Sequence, residues 1–68
     1  MPLTDSLRDD ILASVPSLRA FAISLSGNGD RADDLVQETL LRAIANIASF
    51  QPGSNLPSWL FTILRNLF

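Results

Sequence analysis

Asp33-Asp34-Leu35-Val36-Gln37-Glu38-Thr39-Leu40-Leu41-Arg42-Ala43 decides the architecture of this chain, because its apolar residues recur at the spacing of an amphipathic helix. At about 100° per residue, Ala32, Val36, Thr39, Leu40, Ala43 and Ile47 form one apolar flank, with Leu35 and Ile44 at its margins. Asp34, Gln37, Glu38, Leu41 and Ala45 fall within a narrow stripe on the opposite side. A merely solvated stripe would more usually carry Lys, Glu or Gln where Leu41 sits, although single exposed leucines are common. An apolar spot framed by carboxylates and an amide therefore reads as a docking surface, with an ordinary solvated face as the plain alternative.

Towards the N-terminus, Thr4 or Asp5 can cap a first helix whose apolar stripe is Leu7, Ile11, Leu12 and Val15. Pro16 would remove a backbone bond from a helix interior but is tolerated in a first turn. Ser14 is therefore expected to cap a segment starting near Val15, which leaves the first helical region as two pieces or one kinked rod. Leu18, Phe21, Ala22 and Leu25 continue the helical spacing, and Gly27-Asn28-Gly29 supplies a stop and a tight turn. Asp30 is expected to cap the next helix, with Asp33 and Asp34 loading its positive end. Asp33 and Asp34 do not make a catalytic pair, because adjacent helical residues point about 100° apart and cannot flank one substrate atom.

Towards the C-terminus, residues 49–58 hold Pro52-Gly53 and Asn55-Leu56-Pro57, a turn-forming connector that Phe50 can anchor in the core. Asn55 can cap a last helix with Pro57 in its first turn, and Trp59, Leu60, Ile63, Leu64 and Leu67 line its apolar face. Phe61 and Phe68 carry apolar character further around the cylinder. Trp59 could stack on a base, yet its spacing with Leu60 and Ile63 reads as a core anchor whose ring nitrogen finds a carbonyl. After Arg42 the only charge is Arg65, so this helix has no polar face of the usual kind. The pattern stops in mid-helix at Phe68, as expected of a piece truncated at its C-terminus.

Composition narrows the function. The 68 residues include no cysteine and no histidine, which excludes a disulfide scaffold, a thiolate or imidazole zinc site and the usual nucleophile-base pairs. No Gly-rich phosphate loop is present, so neither a catalytic residue, a metal, a cofactor nor a small-molecule substrate is expected. No signal peptide and no apolar stretch near the ~20 residues of a bilayer span is found, and a soluble, cytoplasmic, single-domain protein without a membrane partner is expected. The formal net charge is −2, with every cation an arginine, and phosphate binding needs clustered positive charge. A duplex-binding helix-turn-helix would need a basic recognition helix, and the last helix offers only Arg65. The fold class is all-α: a compact bundle of three main helices, the first broken or kinked near Pro16.

Taken together, Asp33 to Ala43, Phe50-Gln51-Pro52-Gly53 and Trp59-Leu60-Phe61-Thr62-Ile63-Leu64-Arg65-Asn66 resemble region 2 of bacterial sigma-70 factors of the extracytoplasmic-function group. The likeness runs from about Leu18 to Phe68, and the stretch Ser26 to Ala43 with the Gln51 to Pro57 loop is most similar to the alpha-proteobacterial general stress response type. The resemblance implies a transcription initiation factor fragment spanning residues 1–68, without the family's basic continuation and promoter-reading second domain. It implies docking on RNA polymerase core, at the clamp helices of the largest catalytic subunit, through Asp34, Gln37, Glu38 and Leu41. It also implies contact with the non-template strand of the promoter minus-ten element. Ser54 and Asn55 would hold an unstacked base, and Arg65 and Asn66 would reach phosphate or base edge. An anti-sigma protein is the further partner the resemblance suggests, and a helical interaction module without DNA reading of its own is the competing function. The dull account of the second site is that Asn55 caps a helix and Ser54 belongs to a turn.

Overall fold

The computed structural model describes residues 5–68. Its elements are α1 (Asp5–Ala13), α2 (Val15–Ser26), α3 (Gly29–Ala45), a 3₁₀ turn (Ile47–Ser49) and α4 (Leu56–Leu67), and no strand occurs among the described residues. The expected first helix is thus α1 plus α2, broken one residue before Val15. Pro16 sits in the first turn of α2, where its missing N–H is not needed. Ser14 occupies the N-cap position but does not cap: its backbone is right-handed helical and its hydroxyl donates to the Asp10 carbonyl at 3.0 Å. The junction is therefore a kink in a nearly continuous rod. Of the two candidate caps for the start of α1, Asp5 is the first described residue of the helix, and Thr4 lies outside the described residues.

Gly27 ends α2 in the left-handed region at φ 69°, and its N–H reaches the Ile23 carbonyl at 2.7 Å. Asn28 then swings to an extended conformation and caps α3, its side-chain oxygen accepting the Arg31 N–H at 3.0 Å. The expected cap at Asp30 is corrected by this geometry. The turn consumes only Gly27 and Asn28, so Asp30 already lies inside the helix. So short a connection makes α2 and α3 antiparallel neighbours.

α3 packs against both α2 and α4 and is the middle of the bundle. Its Ala32, Thr39 and Ala43 are fully buried and Val36 nearly so, while Leu35, Leu40 and Ile47 pack partly buried around them. Thr39 is accommodated because its hydroxyl donates to the Leu35 carbonyl at 2.7 Å, leaving no buried side-chain polar atom unsatisfied among the described residues. Leu18 and Ala22 of α2 and Leu60 and Leu64 of α4 complete the centre at zero exposure. Phe21 and Phe61 meet with ring centroids 5.2 Å apart, and Phe50 meets Trp59 at 5.1 Å, joining the connector to α4.

Two apolar residues leave the core assigned to them. Leu12 is 55% exposed, turned about 100° around α1 from Ile11, which with Leu7 makes the buried side of that helix. Ile44, still within α3, is 49% exposed, because 100° per residue carries it to within about 60° of Leu41 on the outer side, while Ile47 packs partly buried beyond the helix end.

Candidate polymerase-docking and nucleic-acid interface

The first candidate site rests on α3, whose buried flank fixes the orientation of its outer one. Asp34, Gln37, Glu38 and Leu41 are all exposed on one side, Leu41 at 60%. Asp30 shares that side, since it precedes Asp34 by four residues, and so do Ala45 and Ile44. The acids differ in what they already touch. Asp33 bonds the Arg19 side chain at 2.7 Å across the α2–α3 turn, and Glu38 lies 3.5 Å from Arg42 one turn on. Asp30 and Asp34 have no ion-pair partner among the described residues. The stripe therefore presents a carboxylate row over its first half and an apolar end over its second. That arrangement fits a cationic, partly apolar protein surface and repels phosphate.

The second candidate site is split along α4. Asn55 caps the helix by accepting the Ser58 N–H at 3.0 Å, and Ser54 Oγ donates to the Gln51 carbonyl within the turn. Gly53 adopts φ 89°, a left-handed position that makes this turn possible. The dull account of both residues therefore describes real bonds. It leaves the Asn55 amide nitrogen and the lone pairs of Ser54 Oγ exposed to solvent. Arg65 and Asn66 lie at the other end of α4, about 15 Å away at 1.5 Å per residue, so no single pocket gathers all four.

What links the two ends was not singled out from the sequence. Ser58, Thr62 and Asn66 repeat every fourth residue, are exposed, and draw with Arg65 a polar strip along α4 beginning at Asn55. The expected absence of a usual polar face needs that correction: the strip is polar but carries one charge. Its i, i+4, i+8 spacing was the available signal. Beside the strip, Asn66 joins Arg42, Asn46, Ser49, Trp59, Ile63 and Leu67 around an open groove between α4 and the end of α3. Trp59 is half-buried there against Phe50, a core anchor as expected, but no carbonyl accepts its ring N–H among the described residues. No cluster of acids able to hold a metal occurs among the described residues.

Comparison with known proteins gives this geometry a family. The sigma-70 region 2 model matches residues 11–68. The chain belongs to the sigma-70 region 2 family. It is 93% identical, over all 68 residues, to the extracytoplasmic-function RNA polymerase sigma factor EcfG of Rhodopseudomonas palustris, and spans 38% of that protein. It is 45% identical over 47 residues to the sigma factor SigE of Mycolicibacterium smegmatis, covering 69% of this chain and 18% of that one. Among solved structures it is similar to the sigma factor RpoE of Bartonella quintana, crystallised in complex with the anti-sigma factor NepR. That likeness has a TM-score of 0.88 and 55% identity, and covers 96% of this chain and 41% of that one. The region 2 bundle is therefore the shared architecture, and the general stress response type is the branch that the EcfG likeness supports. No helix among the described residues is long and apolar enough to cross a membrane.

Proposed function

We propose that this region 2 chain serves transcription initiation in the cytoplasm by docking on RNA polymerase core and contributing to recognition and melting of the minus-ten element. The observation that carries the reading is the α3 stripe, where Asp34, Gln37, Glu38 and Leu41 face solvent while the opposite flank is fully committed to the core. On the polymerase, arginines of the clamp helices would pair with the carboxylates and an apolar hollow would take Leu41. The DNA-facing part is α4 with its preceding turn: Ser54 and Asn55 at one end, Arg65 and Asn66 at the other. The chain supplies surfaces and no catalysis.

The test is capture by RNA polymerase core of Rhodopseudomonas palustris. Gln37→Ala combined with Glu38→Arg should abolish capture while circular dichroism stays unchanged, because reversing one member of a desolvated charge pair costs about 2–5 kcal/mol. Parental capture by that variant, at matched helicity, sinks the docking assignment.

A second reading is favoured by one finding, that the RpoE relative was crystallised with an anti-sigma factor. In it the chain is an interaction module whose exposed apolar residues Leu12, Leu41, Ile44 and Phe68 receive an anti-sigma protein. Binding of such a protein with no capture by polymerase would favour this reading over the first.

A further inference from the structure

The turn between α2 and α3 carries chemistry that neither candidate interface uses. Of the four asparagines, Asn28 is followed by Gly29, while Asn46, Asn55 and Asn66 are followed by Ile47, Leu56 and Leu67. We propose that Asn28 is a site of spontaneous deamidation whose pace is set by the bonds of its own turn. In that reaction the Gly29 backbone nitrogen attacks the side-chain carbonyl carbon of Asn28. A bond forms between those two atoms, the bond from that carbon to Nδ2 breaks, and the Gly29 proton departs with Nδ2 as ammonia. The product is a succinimide ring. Water then opens the ring at either carbonyl, giving aspartate where the new side-chain bond is cut and isoaspartate where the original main-chain bond is cut.

Asn28 and Asn55 form a matched pair that isolates the cause. Both are exposed, both have extended backbones, with ψ of 126° and 103°, and both cap a helix by accepting an N–H at 3.0 Å. In each, the cap bond occupies the side-chain oxygen and not the amide nitrogen that would leave. The residue that follows differs. Gly29 has no side chain to obstruct the ring, and as the first residue of α3 its N–H meets no acceptor among the described residues. Leu56 instead brings a branched side chain that the core holds buried. At an extended ψ the following nitrogen points away from the side chain, so ring closure needs the Asn28 backbone to rotate. Ser26 opposes that rotation: its hydroxyl accepts the Asn28 N–H at 3.3 Å and is shared between the Ala22 and Asn28 carbonyls at 2.7 and 3.1 Å. Gly27 and Gly29, on either side, leave the turn free to rotate once those bonds open. The two products then differ at the cap. Aspartate keeps an oxygen over the Arg31 N–H and adds negative charge at the positive end of α3. Isoaspartate adds a methylene to the main chain, which withdraws that oxygen and lengthens the turn.

The experiment incubates the full folded chain at mildly alkaline pH and follows each asparagine by peptide mass spectrometry, with enzymatic methyl transfer to quantify isoaspartate. Asn28 should convert about tenfold faster than Asn55. Gly29→Ala should slow Asn28 to the pace of Asn55 with the fold intact, because the added methyl would lie 3.7 Å from the Arg19 guanidinium, an ordinary contact. Ser26→Ala, which releases the Asn28 backbone, should speed the reaction. The isoaspartate form should melt about 4–8 °C below the parent through loss of the cap, whereas Asn28→Asp should match the parent. Equal rates at Asn28 and Asn55, or parental conversion of Asn28 in Gly29→Ala, overturn the site. Conversion of Asn28 no faster in Ser26→Ala or in urea than in the folded parent overturns its control by the turn.

Discussion

α3 and α4 are both amphipathic, both bury small or branched apolar residues at helical spacing, and yet expose opposite kinds of surface. Outside its core flank, α3 shows carboxylates and an apolar end, whereas α4 shows Ser58, Thr62 and Asn66 with a single arginine. The buried sides differ in size, small residues with Thr39 on α3 and leucines on α4, but both serve one core; the exposed sides differ in chemistry. An acid row attracts guanidinium and repels phosphate, while uncharged hydroxyls and amides hydrogen-bond base edges without either attraction or repulsion at long range. Under the proposed function a protein partner and a nucleic-acid strand would therefore lie on different helices and not compete.

The largest expected effect tests the claim that buried and exposed sides of α4 differ in role. Leu60→Ala removes a fully buried side chain and should destabilise by about 2–5 kcal/mol, enough to unfold much of a chain whose net stability is only a few kcal/mol. Thr62→Ala, on the exposed strip, should stay within about 0.5 kcal/mol. Urea titrations of the two variants check the contrast, and equal midpoints would erase the distinction between the faces.

A smaller effect separates capping from base reading at the start of α4. Asn55→Ala should destabilise by about 1 kcal/mol through loss of the Ser58 N–H bond. Asn55→Asp keeps a cap oxygen and should preserve the melting temperature, but it replaces the exposed amide donor with an acceptor. In a longer chain carrying a basic extension, Asn55→Asp should therefore lose discrimination at one base of a minus-ten oligonucleotide. Anisotropy titrations that find full discrimination retained would reduce Asn55 to a cap.

The smallest effect concerns the tie between α2 and α3. Arg19 and Asp33 are both about half exposed, so a double-mutant cycle with alanine should report a coupling of about 0.2–1 kcal/mol, decreasing with salt. A coupling well above that range would mean that this pair, rather than the core beneath it, sets the approach of α3 to α2.

The helices, the break near Pro16, the stop at Gly27, the cap at Asn55 and the inward and outward sides of α3 were all legible in the residues alone. Each depends on properties carried by a few neighbouring residues: a missing N–H, a backbone free to take positive φ, a side-chain oxygen one turn from a donor, a 3.6-residue period. Packing between the helices settles what periodicity leaves open at the ends of elements. Asn28 rather than Asp30 caps α3 because the extended swing after Gly27 places its oxygen over the helix, a choice set by how closely α2 and α3 must turn. Leu12 and Ile44 face solvent because a helix buries a residue only where a neighbour exists to cover it. Ser54 and Asn55 stand about 15 Å from Arg65 and Asn66 because the rise of α4 separates them, which spacing along a list of residues does not convey. Local chemistry fixes which way a side chain turns about its own helix axis; only the packing of several helices fixes whether anything is there to meet it.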